Sequence, residues 1–375
     1  MQQVKRSPAA DLIRILALFL VISVHFFLNN GFYTQIVENK RMYVMTIMRS
    51  FFIICVPLFI MLSGYLLRKK QLEKSYYKRI FKIVITYLLA SLMCVAYAVV
   101  FQEKDLSAKD IVLNILKFKA AKYSWYIEMY MGLFLLIPFL NIAYNNLPSK
   151  KSKIWLIISM VILTSLPAVL IIYDLTSFNW LAQPSSTTTM NKVIPAWWQT
   201  LYPVTYYFIG CYLSEYGLKI NKALNFLLIL LWGTLSGIYC CWRSYKVKFI
   251  SGAWCSYQSL FNVVLTLLVF VFIININYDK TPRWLAKFMQ KVSGLSLGAY
   301  LVSWIFDSEL YPVLAEKVPV VTKRLEYYVI IVPAVFVLSL LASWVLSVIQ
   351  LIIEKCFSLI CGLFRKKSVK ITQVP

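Results

Sequence analysis

The chain alternates long apolar runs with short polar connections from about residue 10 to residue 353. A bilayer crossing needs about 20 mostly apolar residues. Ten segments approach that description: 10–30, 51–67, 80–101, 125–143, 154–173, 199–214, 223–242, 258–276, 293–312 and 327–353. The second and sixth are short, and Pro203 predicts a kink in the sixth. The pattern predicts an all-α fold, a polytopic transmembrane bundle of about ten helices. It forms one domain over 8–353, followed by a basic cytoplasmic tail over 354–375. No internal repeat is visible, which weighs against an inverted-repeat transporter.

Composition agrees with a chain solvated mostly by lipid. Hydrophobic residues make up 60% and charged residues 14%, with a mean hydropathy of +0.70. A soluble domain carries roughly 25% charged residues. The 11 Trp, 25 Tyr and 24 Phe suit a protein with many rings at the headgroup level. The net charge of +24 would suggest nucleic acid in a soluble protein. Here there is no zinc-ligand spacing, RNA-binding motif or isolated basic helix, so the positive-inside rule and anionic lipid account for it and no nucleic-acid partner is expected.

Sorting the 39 Lys and Arg by connection sets the expected orientation. With the N-terminus inside, 23 fall in inside segments, 15 in outside segments, and Arg14 alone lies within a span. Both termini are therefore expected in the cytoplasm. The exception is 102–124, an outside loop with five lysines, Lys104, Lys109, Lys117, Lys119 and Lys122. Glu103, Asp105 and Asp110 offset them in charge, but acids count little in this rule. The longest outside loop, 174–198, carries a Ser-Ser-Thr-Thr-Thr run at 185–189 and Trp197-Trp198. It either covers a site or lies on the membrane. Lys5 and Arg6 precede a first apolar run that continues as a full span, so no cleavable signal peptide is expected. The eight cysteines read as small buried hydrophobes, with a Cys240 or Cys241 link to Cys255 as the alternative.

Ionisable groups inside spans are costly and point to function. The first span holds three, Asp11, Arg14 and His25, and His25 is the only histidine in the chain. Eleven residues of helix are about three turns plus 20°, so Arg14 and His25 share a face about 16 Å apart along the axis. Asp11 and Arg14, three residues apart, can pair. The pair is either a helix-end anchor, with Arg14 reaching lipid phosphate, or part of a site. His25 is either a core histidine bridging helices or a general base, since its ordinary pKa lies near working pH. A lone histidine builds no zinc site, and no Gly-x-Ser-x-Gly elbow is present. Deprotonating a hydroxyl for attack on an acyl carbonyl is the chemistry left to it.

Other candidates are less sharply defined. Ser63-Gly64 reads as small-residue helix packing or a site serine. Lys74, Lys78, Arg79 and Lys82 are an ordinary inside loop or a cradle for phosphates. Trp125 and Tyr126 suit an interface, and Glu128 either orients the imidazole or faces headgroups. Asp307 and Glu309 are expected to be solvated near an outer end.

Together these features resemble acyltransferase family 3, the bacterial multi-pass membrane O-acyltransferases that modify cell-surface carbohydrates. Asp11 followed by Arg14 and His25 with ten residues between them matches that family's Arg-x10-His opening. PLFIMLSGYLL, with Phe59, Ser63, Gly64 and Tyr65, resembles its second-helix motif, and Lys78-Arg79 its basic third-helix start. SWYIEMYMGLFLLIPFL, YPVTYYFIGCYLS and SGLSLGAYLVSWIF resemble its fourth-helix, Phe-x-Gly and Ser-x-x-(Tyr-Leu) segments. The resemblance spans roughly 8–350. One departure stands out: the family commonly has His where this chain has Ser303.

The resemblance implies transfer of an acyl group, acetyl before succinyl, onto a hydroxyl of a cell-surface or lipid-linked glycan. Acetyl-CoA or another acyl-CoA would be co-substrate, with no bound cofactor and no metal. His25 would be base or acyl relay, and Arg14, held by Asp11, would stabilise negative charge. Ser63, Glu128, Trp125, Lys78, Arg79 and Ser303 would support the site or bind substrate. The expected setting is the bacterial plasma membrane, with the chain resembling the stand-alone type that lacks an appended soluble domain. Two other classes remain open: a flippase for a lipid-linked saccharide, and an inactive acyltransferase-like sensor, for which Ser303 is the argument.

Overall fold

A computed structural model describes residues 7–170, 184–185 and 194–371, with side chains described as far as residue 355. Lys5, Arg6, most of the 174–198 loop, and the side chains of Cys356, Cys361 and the basic tail lie outside the described residues. Among the described residues the protein is helical, and its only β-pairing is two isolated bridges, Ile36 with Lys248 and Val37 with Tyr245.

The helices are α1 (Pro8–Asn29), α2 (Lys40–Phe52), α3 (Cys55–Leu67), α4 (Lys74–Tyr77), α5 (Ile80–Val100), α6 (Ala108–Leu116) and α7 (Trp125–Asn145). They continue as α8 (Lys150–Thr164), α9 (Pro167–Leu170), α10 (Tyr202–Tyr216), α11 (Lys222–Arg243), α12 (Leu260–Ile274), α13 (Arg283–Lys317) and α14 (Tyr328–Ile371). Eight segments among the described residues are long and apolar enough to cross a membrane. Helices α10 and α13 lie where the other two spans are expected and do not meet that standard. Helix α10 has 15 residues, and the apolar run of α13 is broken by Ser293, Ser296, Ser303 and Asp307, all buried.

The second span differs most from expectation. It begins at Lys40 rather than residue 51, because α2 and α3 run on as one 28-residue segment. Lys40, Arg41 and Arg49 made its first half look like a loop. Arg49 is in fact a buried cation within a candidate span. Its Nε donates to the Tyr33 hydroxyl at 2.8 Å, and its guanidinium lies 4.9 Å from the Phe249 ring centroid. Aromatic faces and a hydroxyl replace the water that such a cation would otherwise need. Pro203 also differs from expectation. It occupies the first turn of α10, where the missing N–H costs nothing.

Local sequence sets the ends of α1. Pro8 opens it, and Asp11 in the first turn faces the positive end of the helix dipole. It stops at Asn30 and Gly31, whose φ of 88° is left-handed. Helices α3 and α10 cross at two glycines. A Cβ on Gly64 would lie 2.0 Å from the Tyr207 carbonyl oxygen, and one on Gly210 would lie 2.0 Å from that of Met61. Two of the recognised segments, Ser63-Gly64-Tyr65 and Phe208-Ile209-Gly210, are thus one backbone-to-backbone contact. The described cysteines are free thiols, and no disulfide joins Cys240 or Cys241 to Cys255.

Candidate active site

Helix α1 joins the two ends of the bundle, and each end surrounds one of its ionisable groups. At the first end Arg14 Nη1 lies 3.3 Å from Asp11 Oδ1. The same carboxylate oxygen accepts the Ser293 hydroxyl of α13 at 2.5 Å. Asp11 is buried while the Arg14 side chain keeps 28% exposure, because it lines a cavity of about 240 Å³. Ser63, Phe59, Tyr126, Tyr130 and Tyr300 share that lining. The pair is therefore more than a helix-end anchor: its cation opens into the interior of the bundle.

At the other end His25 is buried on the same helix face. Its Nδ1 lies 3.5 Å from Asp307 Oδ2 of α13. That oxygen also accepts the Tyr123 hydroxyl at 2.8 Å and the Asn29 side-chain amide at 3.3 Å. Asn29 bridges back to the Tyr123 oxygen at 2.9 Å. The Tyr123 ring lies against the imidazole, with centroids 3.7 Å apart. Tyr300 donates from its hydroxyl to the Tyr123 carbonyl, and its ring centroid is 6.5 Å from that of His25. Burial and the neighbouring Asp307 charge push the Tyr123 phenol well above its ordinary range, so it stays a donor.

The 3.5 Å contact is longer than a good hydrogen bond, and Nδ1 and Asp307 Oδ1 are both buried without one. Such contacts commonly tighten only when substrate is bound. Val21, Tyr126 and Tyr300 are in the lining of the Arg14 cavity and His25 is not, while the Tyr300 ring centroid lies 6.5 Å from that of His25. The stripe anticipated on α1 thus has a cavity at its arginine end and a buried imidazole beyond that cavity's lining.

The remaining candidates divide. Ser63 lines the cavity, with its hydroxyl donating to the Phe59 carbonyl at 2.9 Å. Ser303 is fully buried, and its hydroxyl donates to the Tyr300 carbonyl at 2.9 Å. Arg79 is exposed and lines a separate groove of about 370 Å³ with Lys82, Gly294 and Gln350; Lys78 is exposed beside it. That groove meets the Arg14 cavity at Ile83 and Leu297, which line both. Trp125 stacks on Tyr257 at 5.4 Å, away from the imidazole. Glu128 is exposed on α7, and Asp307 takes the place considered for it beside His25. Asp307 is buried rather than solvated. Its position one helical turn beyond Ser303, on the same face of α13, was the available sequence signal.

The family model of the acyltransferase domain, family 3, matches residues 7–348. The chain belongs to this family. No curated protein and no solved structure gives a match. By its family the chain is a membrane acyltransferase. Among the described residues no cluster of His, Cys, Asp and Glu could hold a metal ion.

Proposed function

We propose that this acyltransferase moves an acyl group, acetyl in the first instance, from acyl-CoA to a hydroxyl of a cell-surface or lipid-linked glycan. It does so in a bacterial plasma membrane, with ten crossings and both termini cytoplasmic. The observation that supports this reading best is the buried contact of His25 with Asp307, on the same helix whose Arg14 lines a cavity.

The chemistry follows from which imidazole nitrogen is held. Asp307 faces Nδ1 and favours the tautomer protonated there, which leaves the Nε2 lone pair as base. Nε2 takes the proton of the acceptor hydroxyl as its oxygen attacks the thioester carbonyl. The C–S bond then breaks, and the imidazolium returns its proton to the leaving CoA thiolate. Arg14, steadied by Asp11, meets negative charge on the donor side. Lys78 and Arg79 form the basic mouth that receives the CoA phosphates. Asp307 supplies the charge partner next to Ser303, so this chain does not depend on a histidine at 303.

Mass spectrometry of the surface glycan from cells with and without the protein tests the reading. A difference of one acyl group per modified unit is expected. Unchanged glycan mass with altered export would overturn it in favour of a flippase.

A further inference from the structure

The five lysines of 102–124 sit where the orientation rule disfavours them, and nothing in the acyl-transfer chemistry uses them. Three of them, Lys104, Lys119 and Lys122, converge on one cavity of about 260 Å³. Asn114 and Trp304 line it too, and Lys104 Nζ lies 5.9 Å from the Trp304 ring centroid. No carboxylate is among the described residues lining it, although Glu103 and Asp105 flank Lys104 in sequence.

The wall is held in shape. The Lys119 and Ala120 amides both donate to the Asn114 carbonyl, at 2.8 and 3.1 Å, around a left-handed Phe118. The Lys104 amide donates to the Ala98 carbonyl at 3.1 Å, next to a left-handed Glu103. The pocket also shares its framework with the His25 site. Lys122 precedes Tyr123, whose ring lies against the imidazole. Trp304 is one turn from both Tyr300 and Asp307 on α13.

We propose that this pocket binds an anionic sugar of the acceptor, a pyranose carrying a carboxylate or a phosphate. The inference rests on the acyl-transfer reading and names the class of its acceptor. Three lysines lining one small pocket put like charges on the same wall with no carboxylate among them, and charges within about 8 Å of one another escape most screening at physiological salt. An anion between them turns that repulsion into attraction, and ammonium–oxyanion hydrogen bonds are the strong kind. Trp304 offers a broad apolar face for the ring of the sugar, and Asn114 a neutral donor and acceptor for its hydroxyls. A sugar held here is anchored by Lys122 and Trp304, the one next in sequence to Tyr123 of the His25 site and the other one turn from Asp307. The lysines outside the positive-inside pattern then have a physical reason to be there.

Calorimetry on the purified full-length protein in detergent tests this with four probes: a glucuronate trisaccharide, glucose 6-phosphate, a neutral glucose trisaccharide and inorganic phosphate. At least one anionic sugar should bind about tenfold or more tighter than the neutral trisaccharide, a gap of about 1.4 kcal/mol. The gap should shrink with added salt and vanish in Lys119→Gln/Lys122→Gln, whose exposed side chains carry no part of the packed core. Equal binding of charged and neutral sugars, or an unchanged gap in the double variant, would overturn the proposal. Inorganic phosphate binding as tightly as either anionic sugar would overturn it in favour of a bare anion site. The acyl-transfer reading fails separately. Selective sugar binding with no acyl transfer would remove that reading and leave the pocket. Normal transfer with an unchanged acceptor KM in the double variant would remove the pocket and leave the reading.

Discussion

The two ends of the bundle solve the problem of buried polarity in different ways. At the Arg14 end, formal charges face one another. Asp11 pairs with Arg14, and Lys153 Nζ reaches both Glu215 oxygens at 2.9 Å, with Arg68 at 3.5 Å from the same carboxylate. At the His25 end one carboxylate, Asp307, is met by an imidazole, a phenol and an amide. Ion pairs need some solvent to be worth their desolvation, and the Arg14 cavity provides it. A base that must lose and regain a proton is better served by a dry, neutral surround with one fixed charge. On the proposed reading, the difference assigns the charged donor to the first end and proton transfer to the second.

That comparison can be broken most directly at His25. His25→Ala should lower acyl transfer by about 10²–10⁴-fold while membrane level and melting temperature stay close to the parent's. Normal transfer by this variant would remove the chemical role of the His25 end. Asp307→Asn keeps the shape but loses the fixed charge, and kcat should fall by on the order of 10²-fold with little change in donor KM. A change confined to KM would move Asp307 from proton transfer to binding.

Arg14→Ala tests the other end. A donor KM raised about tenfold, together with a loss of about 1–2 kcal/mol of stability, is expected. The stability loss is modest because Arg14 is partly exposed and Asp11 keeps Ser293. A fall in kcat with unchanged KM would merge the two ends into one chemical site.

The smallest effect concerns acid. Burial pushes the Glu215 carboxyl up, but the hydrogen bonds from Lys153, the nearby Tyr144 hydroxyl and the charge of Arg68 outweigh it and leave it below its ordinary range. Its contribution to stability is therefore complete above about pH 4.3, the ordinary glutamate value, and is lost as pH falls through the lower folded value. Thermal melts between pH 3 and 6 should show this loss in the parent and not in Glu215→Gln, a difference of about 1 kcal/mol or less.

Much of the molecule was legible in the chain itself. Apolar run length marks helices that cross a bilayer, because lipid offers the backbone no hydrogen-bond partners. Helical periodicity put Arg14 and His25 on one face, and Asp11 three residues from Arg14, since both relations are local. The recognised motifs were legible too, and they placed the chain in its family. Local rules failed at Arg49 and Asp307 and left Glu128 open. Arg49 looked too polar for a span until Tyr33 and Phe249, from other parts of the chain, enclosed it. Asp307 looked solvated, and Glu128 could as well have met the imidazole as the headgroups. Only the packing of α13 against α1 decided that Asp307 is the carboxylate beside His25. Sequence by itself determined which groups lie on each helix face, because that needs a single helix. The tertiary structure alone decided which groups meet, because partners 282 residues apart, such as Asp307 and His25, are brought together only by packing of the bundle.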